Sequence, residues 1–201
     1  MIITKVEVQS KHQDRVSIYV DGEFYCGMTL FSAMKYHLKE GLEIDKERLD
    51  FLKETTENEN ACEKGLKYLS KTQKTEREVK TYLLSKGFEQ FNVNYAIDKL
   101  KKYDYINDEQ YAKNYVKFKS NVEGKKKIEF ELKNKGIKDS IIQKTFENFA
   151  FDGTPIKKLA EKYLANKLRD VKTKQKTYRY LASKCFLSEE IMPILNEYFK
   201  N

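Results

Sequence analysis

Near the start of the chain apolar and polar positions alternate: Ile2, Thr4, Val6 and Val8, then Val16, Ile18 and Val20. Period two marks half-buried strands. Ser10-Lys11-His12-Gln13-Asp14 reads as a polar connection, and Asp21-Gly22 as a hairpin turn, because glycine tolerates positive φ. A third short strand follows through Phe24, Tyr25 and Cys26. Such a meander needs a helix over one face to be stable. Residues 30–38 can supply it, with Leu30, Met34, His37 and Leu38 at helical spacing, Thr29 as N-cap and Gly41 as the stop. After Asp45 a helix-forming run begins. The polar, acidic stretch 55–60 is either a solvated helix or a short linker, and the domain boundary is placed there.

Downstream the period changes to that of helices and the pattern repeats. Lys86-Gly87-Phe88 recurs as Lys135-Gly136-Ile137 and as Lys184-Cys185-Phe186, each time 49 residues on. The same shift aligns Leu83, Leu132 and Leu181. It also aligns Val93, Ile142 and Ile191, then Ile97, Phe146 and Leu195, then Leu100, Phe149 and Tyr198. These last three sets carry the i, i+4, i+7 spacing of one buried helical face. Leu66, Tyr115 and Leu164 also fall in this register, though the sequence around them diverges. Each unit therefore reads as three helices.

Caps support the division. Thr75-Glu76-Arg77-Glu78 is a capping box, and Asn107-Asp108-Glu109-Gln110 a second capping signal. Thr154-Pro155 places Thr as N-cap and Pro at the first helical position. Gly87 and Gly136 suit left-handed helix ends, where Lys86 and Lys135 also favour the dipole. Cys185 in the third copy implies a less demanding turn there, or a capping repeat of altered geometry. The expected fold is mainly α: an elongated array of three tandem three-helix repeats with a small β-rich N-terminal domain. Its expected segments are 1–55, 61–107, 108–153 and 154–201.

Charge adds a division that periodicity does not show. Residues 1–60 hold 8 Lys/Arg against 12 Asp/Glu, and residues 61–201 hold 31 against 19, together giving the chain's +8. A basic body suits a polyanion, while the acidic lobe does something else. A lysine-rich solvated surface explains the number of lysines but not this asymmetry. The three cysteines, Cys26, Cys62 and Cys185, are far apart, and the start lacks the apolar run of a signal peptide. Free thiols in a reducing cytoplasm are expected, with no membrane span.

Catalytic patterns are not legible. The two histidines, His12 and His37, sit in no ligand pattern, and no paired Cys or His suits zinc. No Gly-rich phosphate loop or G-x-S-x-G elbow occurs. The expectation is a binding protein with no enzyme activity, metal or cofactor.

Two lysine-rich stretches carry the candidate interface. From them Lys117, Lys119, Lys125, Lys126, Lys127, Lys133, Lys172, Lys174, Lys176 and Arg179 are chosen as DNA- or filament-binding residues. Cations at this density can track phosphates, with binding that falls steeply as salt rises. Lys125-Lys126-Lys127 opens a helix, where cations oppose the dipole, so a partner is one explanation and a solvated face the other. Tyr178-Arg179-Tyr180 alternates aromatic and cation, yet Tyr178 and Leu181 share helical spacing, which points at least one tyrosine to the core.

Several of these runs resemble the RecX family of bacterial recombination regulators. They are residues 66–70 (LKYLS), 75–79 (TEREV), 83–88 (LLSKGF), 105–112 (YINDEQYA) and 131–137 (ELKNKGI), with 20–24 (VDGEF) similar to the extension of longer members. The resemblance covers essentially the whole chain. It implies a protein that binds the RecA recombinase filament on single-stranded DNA, lodges in its groove, and inhibits ATPase and strand exchange without a catalytic centre. Double-stranded DNA is left open as a further ligand, and a monomer is expected. The chain departs from the family in using Lys where many members use Arg; Lys is a point charge and does not make the bidentate phosphate contacts of Arg. The alternative is a general nucleic-acid-binding helical-repeat protein with no dedicated RecA partner. A protein–protein scaffold whose lysines only solubilise it is a third reading.

Overall fold

The computed structural model describes residues 1–10, 12–151 and 153–199. Lys11, read as part of the polar connection, lies outside them. Three strands, β1 (Ile3–Gln9), β2 (His12–Val20) and β3 (Glu23–Thr29), form an antiparallel sheet in the order β1-β2-β3. His12, expected in the turn, is the first residue of β2. Asp21 (φ 50) and Gly22 (φ 90) make the predicted hairpin turn. The register shifts between Ile3 and Lys5. That irregularity changes which face is buried: Ile3 is in the core and Val6 packs against it, while Ile2 and Val8 are exposed. The predicted Ile2-Thr4-Val6-Val8 face is therefore corrected at Ile2, Thr4 and Val8, which are all exposed, and keeps only Val6.

Ten helices follow among the described residues: α1 (Leu30–Lys35), α2 (Lys46–Leu69), α3 (Glu76–Ser85), α4 (Gln90–Lys102), α5 (Asp108–Lys119), α6 (Lys125–Asn134), α7 (Asp139–Glu147), α8 (Thr154–Leu164), α9 (Val171–Ser183) and α10 (Ser188–Tyr198). Thr29 caps α1, accepting from Ser32 N. The helix stops well before Gly41, because His37 turns left-handed at φ 53. Its buried residues are Ser32 and Ala33, and the expected apolar positions Leu30 and Met34 are exposed. Ala33 and the following Leu38 do pack on the sheet, as expected of this segment, and α2 adds to the cover with Leu49 and Leu52, which join Val16, Ile18 and Met28 in the same core. Residues 55–60 are helical, within α2.

The α3, α6 and α9 helices end 49 residues apart, at Ser85, Asn134 and Ser183. The α4, α7 and α10 helices begin at the same interval, at Gln90, Asp139 and Ser188. Leu83, Leu132 and Leu181 are fully buried, as are Val93, Ile142 and Ile191. The first helix of each unit breaks this interval. Leu66 is exposed and Tyr115 half-buried, whereas Leu164 is in the core. The equivalent buried positions are Ala61, Ala112 and Ala160, then Gly65, Val116 and Leu164, at steps of 51 and 48. The loops between units vary in length, so only the second and third helices keep the 49-residue register.

The turns after α3, α6 and α9 adopt one conformation, with Gly87 at φ 86, Gly136 at φ 83 and Cys185 at φ 61. Cys185 therefore does not mark a relaxed turn; it takes the left-handed region at a cost of about 1 kcal/mol. Gly153, and not Thr154, is the N-cap of α8, with Pro155 in its first turn. Contacts divide the chain into a first unit of residues 1–72 and 79–105 and a second of residues 73–78 and 106–201.

Candidate nucleic-acid interface

Three of the helices, α5, α6 and α9, all in the second unit, carry the ten candidate cations. Each amphipathic helix buries its apolar stripe, α5 through Ala112 and Val116 and α6 through Ile128 and Leu132. The lysines fall on the remaining faces. Their surroundings differ, and that separates them into groups.

Four are tied down by neighbours in the chain. Lys119 and Lys127 converge on Glu123, at 3.4 and 2.9 Å, and Lys119 also lies 3.5 Å from Glu131. Glu123 is buried; burial pushes its carboxyl up, but the two lysines outweigh that and hold it below the ordinary carboxylate range. Its hydrogen bond also holds the Lys127 ammonium above its ordinary value. The acid stands just before Gly124, the N-cap of α6, where negative charge offsets the three lysines that open the helix. Lys133 bridges Glu129 and Asp139, at 3.0 and 3.2 Å. Lys174 donates to Asn196 of α10 at 3.0 Å.

Lys125 points its ammonium at aromatic faces, 5.0 Å from the Phe146 ring centre and 5.8 Å from that of Phe151. The other five, Lys117, Lys126, Lys172, Lys176 and Arg179, are exposed and have no ion pair among the described residues. Lys117 and Lys125 share the rim of a cavity of about 590 Å³ with Glu123, Glu189 and Glu190. Lys125 and Lys133 line a second, of about 380 Å³. The α9 cations line neither of these two cavities. Local clusters are thus brought together on α5 and α6.

Lys135 has a larger part than its position suggested. Its ammonium lies 2.9 Å from Glu78 and over the ring of Tyr111 at 5.6 Å. Its carbonyl accepts from the buried Thr75 hydroxyl at 2.8 Å. Thr75 N donates to Glu78 at 2.9 Å, completing the predicted capping box. One turn therefore fastens the head of α3. The equivalent place 49 residues on is built from backbone: Gly124 N donates to Lys184 O at 2.8 Å. The Lys119, Glu123, Lys127 cluster was readable as three residues four apart; the Glu78–Lys135 pair, 57 residues apart, was not.

No helix of the described residues is long and apolar enough to cross a membrane, and no group of three His, Cys, Asp or Glu among them could hold a metal ion. Cys26 and Cys62 are buried free thiols, pushed up by burial, Cys26 to about 11.

Sequence comparison matches residues 1–45 to the "Regulatory protein RecX N-terminal domain", 61–100 to "RecX, first three-helix domain" and 107–145 to "RecX, second three-helix domain". The "Regulatory protein RecX" of Clostridium tetani is 33% identical, over 97% of this chain and 93% of that one. The protein of the same name from Clostridium acetobutylicum is 32% identical, over 98% and 96%. A crystal structure of regulatory protein RecX superposes with a TM-score of 0.70 at 26% identity over 98% of both chains. That of RecX from Lactobacillus salivarius gives 0.64 at 28% identity, over 71% of this chain and 96% of that one. Near-complete coverage at this identity, with the sheet and both three-helix domains in order, means that the chain belongs to the RecX family of regulatory proteins.

Proposed function

We propose that this protein regulates RecA-mediated recombination, mainly as an inhibitor, by occupying the groove of the RecA filament on single-stranded DNA. It would act by binding alone, without metal or cofactor, as a cytoplasmic monomer. The RecA half of this reading rests on family membership. The polyanion half is carried by one observation: Lys117, Lys126, Lys172, Lys176 and Arg179 stand exposed with no carboxylate at ion-pair distance among the described residues, Asp170 acting on Lys172 and Lys176 only from further off. Charges already neutralised by Glu or Asp gain little from a phosphate; these five gain the full counterion-release effect. Lys119, Lys127, Lys133 and Lys174 contribute less in this scheme, because each must first leave a partner.

The test is the single-stranded-DNA-dependent ATPase of RecA, titrated with the protein at near-physiological salt. Inhibition near stoichiometry is expected, and the triple variant Lys126→Glu, Lys172→Glu, Lys176→Glu should need at least about tenfold more protein, since each phosphate contact contributes to a steep salt-dependent affinity. Unchanged ATPase with the folded wild-type chain would overturn the RecA reading and leave general nucleic-acid binding in its place.

A further inference from the structure

Outside the lysine stretches, two tyrosine pairs stand out by geometry. Tyr68 of α2 and Tyr82 of α3 lie face to face, with ring centres 4.0 Å apart and planes 8° apart. Tyr163 of α8 and Tyr180 of α9 do the same, at 4.5 Å and 13°. All four are half-buried, so part of each pair meets solvent. A lysine lies over each pair: Lys86 is 5.4 Å from the Tyr82 ring centre, and Lys167 is 3.2 Å from that of Tyr163.

The positions correspond. Tyr82 and Tyr180 are 98 residues apart, twice the 49-residue step, and so are Lys86 and Lys184. On the first helix, Lys64 and Tyr68 match Tyr163 and Lys167 by the 51 and 48 steps of the buried positions, with the two residue types exchanged. Each set is two tyrosines and two lysines. Packing explains a tyrosine pair; it does not explain why two lysines recur with it in both sets, one of them lying over a ring each time. The middle unit has Tyr115, Lys119, Glu131 and Lys135 at these places. There Glu131 replaces the second ring, accepts the Tyr115 hydroxyl proton at 2.6 Å, and pushes that phenol's ionisation up beyond burial alone.

We propose that the Tyr68–Tyr82 and Tyr163–Tyr180 pairs are two separate platforms for unpaired bases of single-stranded DNA, with the flanking lysines meeting the phosphates on either side. This rests on the reading that the chain meets a single strand. Aromatic rings accept any base, and the sequence-tolerant binding of single strands combines such stacking with a cationic track. A base on the ring outweighs an exposed ammonium over it, and the displaced lysine gains a phosphate. Beside the first pair, Lys86 also lines a cleft of about 490 Å³ with Arg15, Lys64 and Lys67, against Asp14, Glu57 and Glu63. The cleft has room for a backbone turn. The middle repeat, with a carboxylate in place of a ring, offers no such platform.

The chain has no tryptophan, so Tyr180→Trp installs a single indole on the second platform. It is titrated, without RecA, with a 20-nucleotide oligothymidine and with a duplex of equal length. The single strand should quench the indole and the duplex should not. Separately, Tyr82→Leu and Tyr180→Leu should each weaken oligothymidine binding about 5- to 150-fold, the range for one stacked base, while the Phe variants stay within about twofold of wild type. Helical circular dichroism checks that the Leu variants fold. An unquenched indole on bound oligothymidine, equal quenching by the duplex, or Leu variants that bind as wild type overturns the platforms. If RecA ATPase is still inhibited, only the platforms fall; if it is not, the filament reading has failed on its own test.

Discussion

The head of α3 and the head of α6 occupy the same place 49 residues apart, and each is fastened by the turn that follows a helix further on. The chemistry differs. At the first, the Thr75 hydroxyl reaches Lys135 O, and the Lys135 ammonium reaches back to Glu78. At the second, Gly124 N reaches Lys184 O, and Lys127 turns away to Glu123. The counterpart of the Glu78–Lys135 pair would be Lys127 with Lys184, two like charges. Side chains fasten one place; close backbone approach fastens the other. The repeat therefore preserves position while exchanging means, and the two places should fail differently.

The largest effect is expected at the backbone contact. A Cβ on Gly124 would overlap the Cys185 carbonyl and sit 2.7 Å from Phe186 N, all backbone that cannot swing aside. Gly124→Ala should lower stability by about 3 kcal/mol in urea unfolding, the upper end of overpacking. A loss under 0.5 kcal/mol would remove steric intolerance from the comparison. Thr75→Val keeps the shape of the first place but leaves the partly buried Lys135 carbonyl without its hydroxyl donor and α3 without its cap. About 1.5 kcal/mol should go, read in the same experiment.

The smallest effect separates the two by pH. Burial pushes the Glu78 carboxyl up, but the Thr75 amide and Lys135 outweigh it and leave it below its ordinary value. A depressed carboxyl stabilises above its unfolded pKa, and that contribution is lost as pH falls through the lower folded value. Lys135→Met should flatten this acid-side loss below about pH 4.3, by at most about 1 kcal/mol for so partly exposed a pair. Gly124→Ala should leave the slope unchanged. Equal slopes in the wild type and Lys135→Met would show that the ammonium does not set it.

Much of this frame was legible in the chain. The 49-residue recurrence located the turns and the second and third helices, because those segments are joined by connections of fixed length. The capping box at Thr75 was legible for the same local reason. The first helices were not, since the loops before them vary and the buried stripe moved to Ala61 and Gly65. The strand alternation missed the irregularity at Ile3, which a period-two pattern cannot show. At the candidate interface, sequence located the lysines but not their company. Lys133 and Lys174 look alike in composition to Lys126 and Lys172, and only the structure sets a carboxylate or amide beside the first two.

One helix sets a limit on how such a chain can be rearranged. Over its 24 residues, α2 is about 36 Å long. Leu49 and Leu52 near its start close the core of the sheet. Gly65 near its end lets Leu100 approach so closely that a Cβ would sit 2.8 Å from Cδ1. The first matched domain ends at 45 and the second begins at 61, so the recombinable borders read from sequence leave residues 46–60 of this helix unowned and cut it in two. A gene fusion cut at residue 55 would split the helix between the leucines that close the sheet and the small residues, Ala61 and Gly65, that are buried near its end. Inheritance of either module requires the whole helix, and exchange between relatives should tolerate crossovers before Asp45 or after Leu69 far better than any between them.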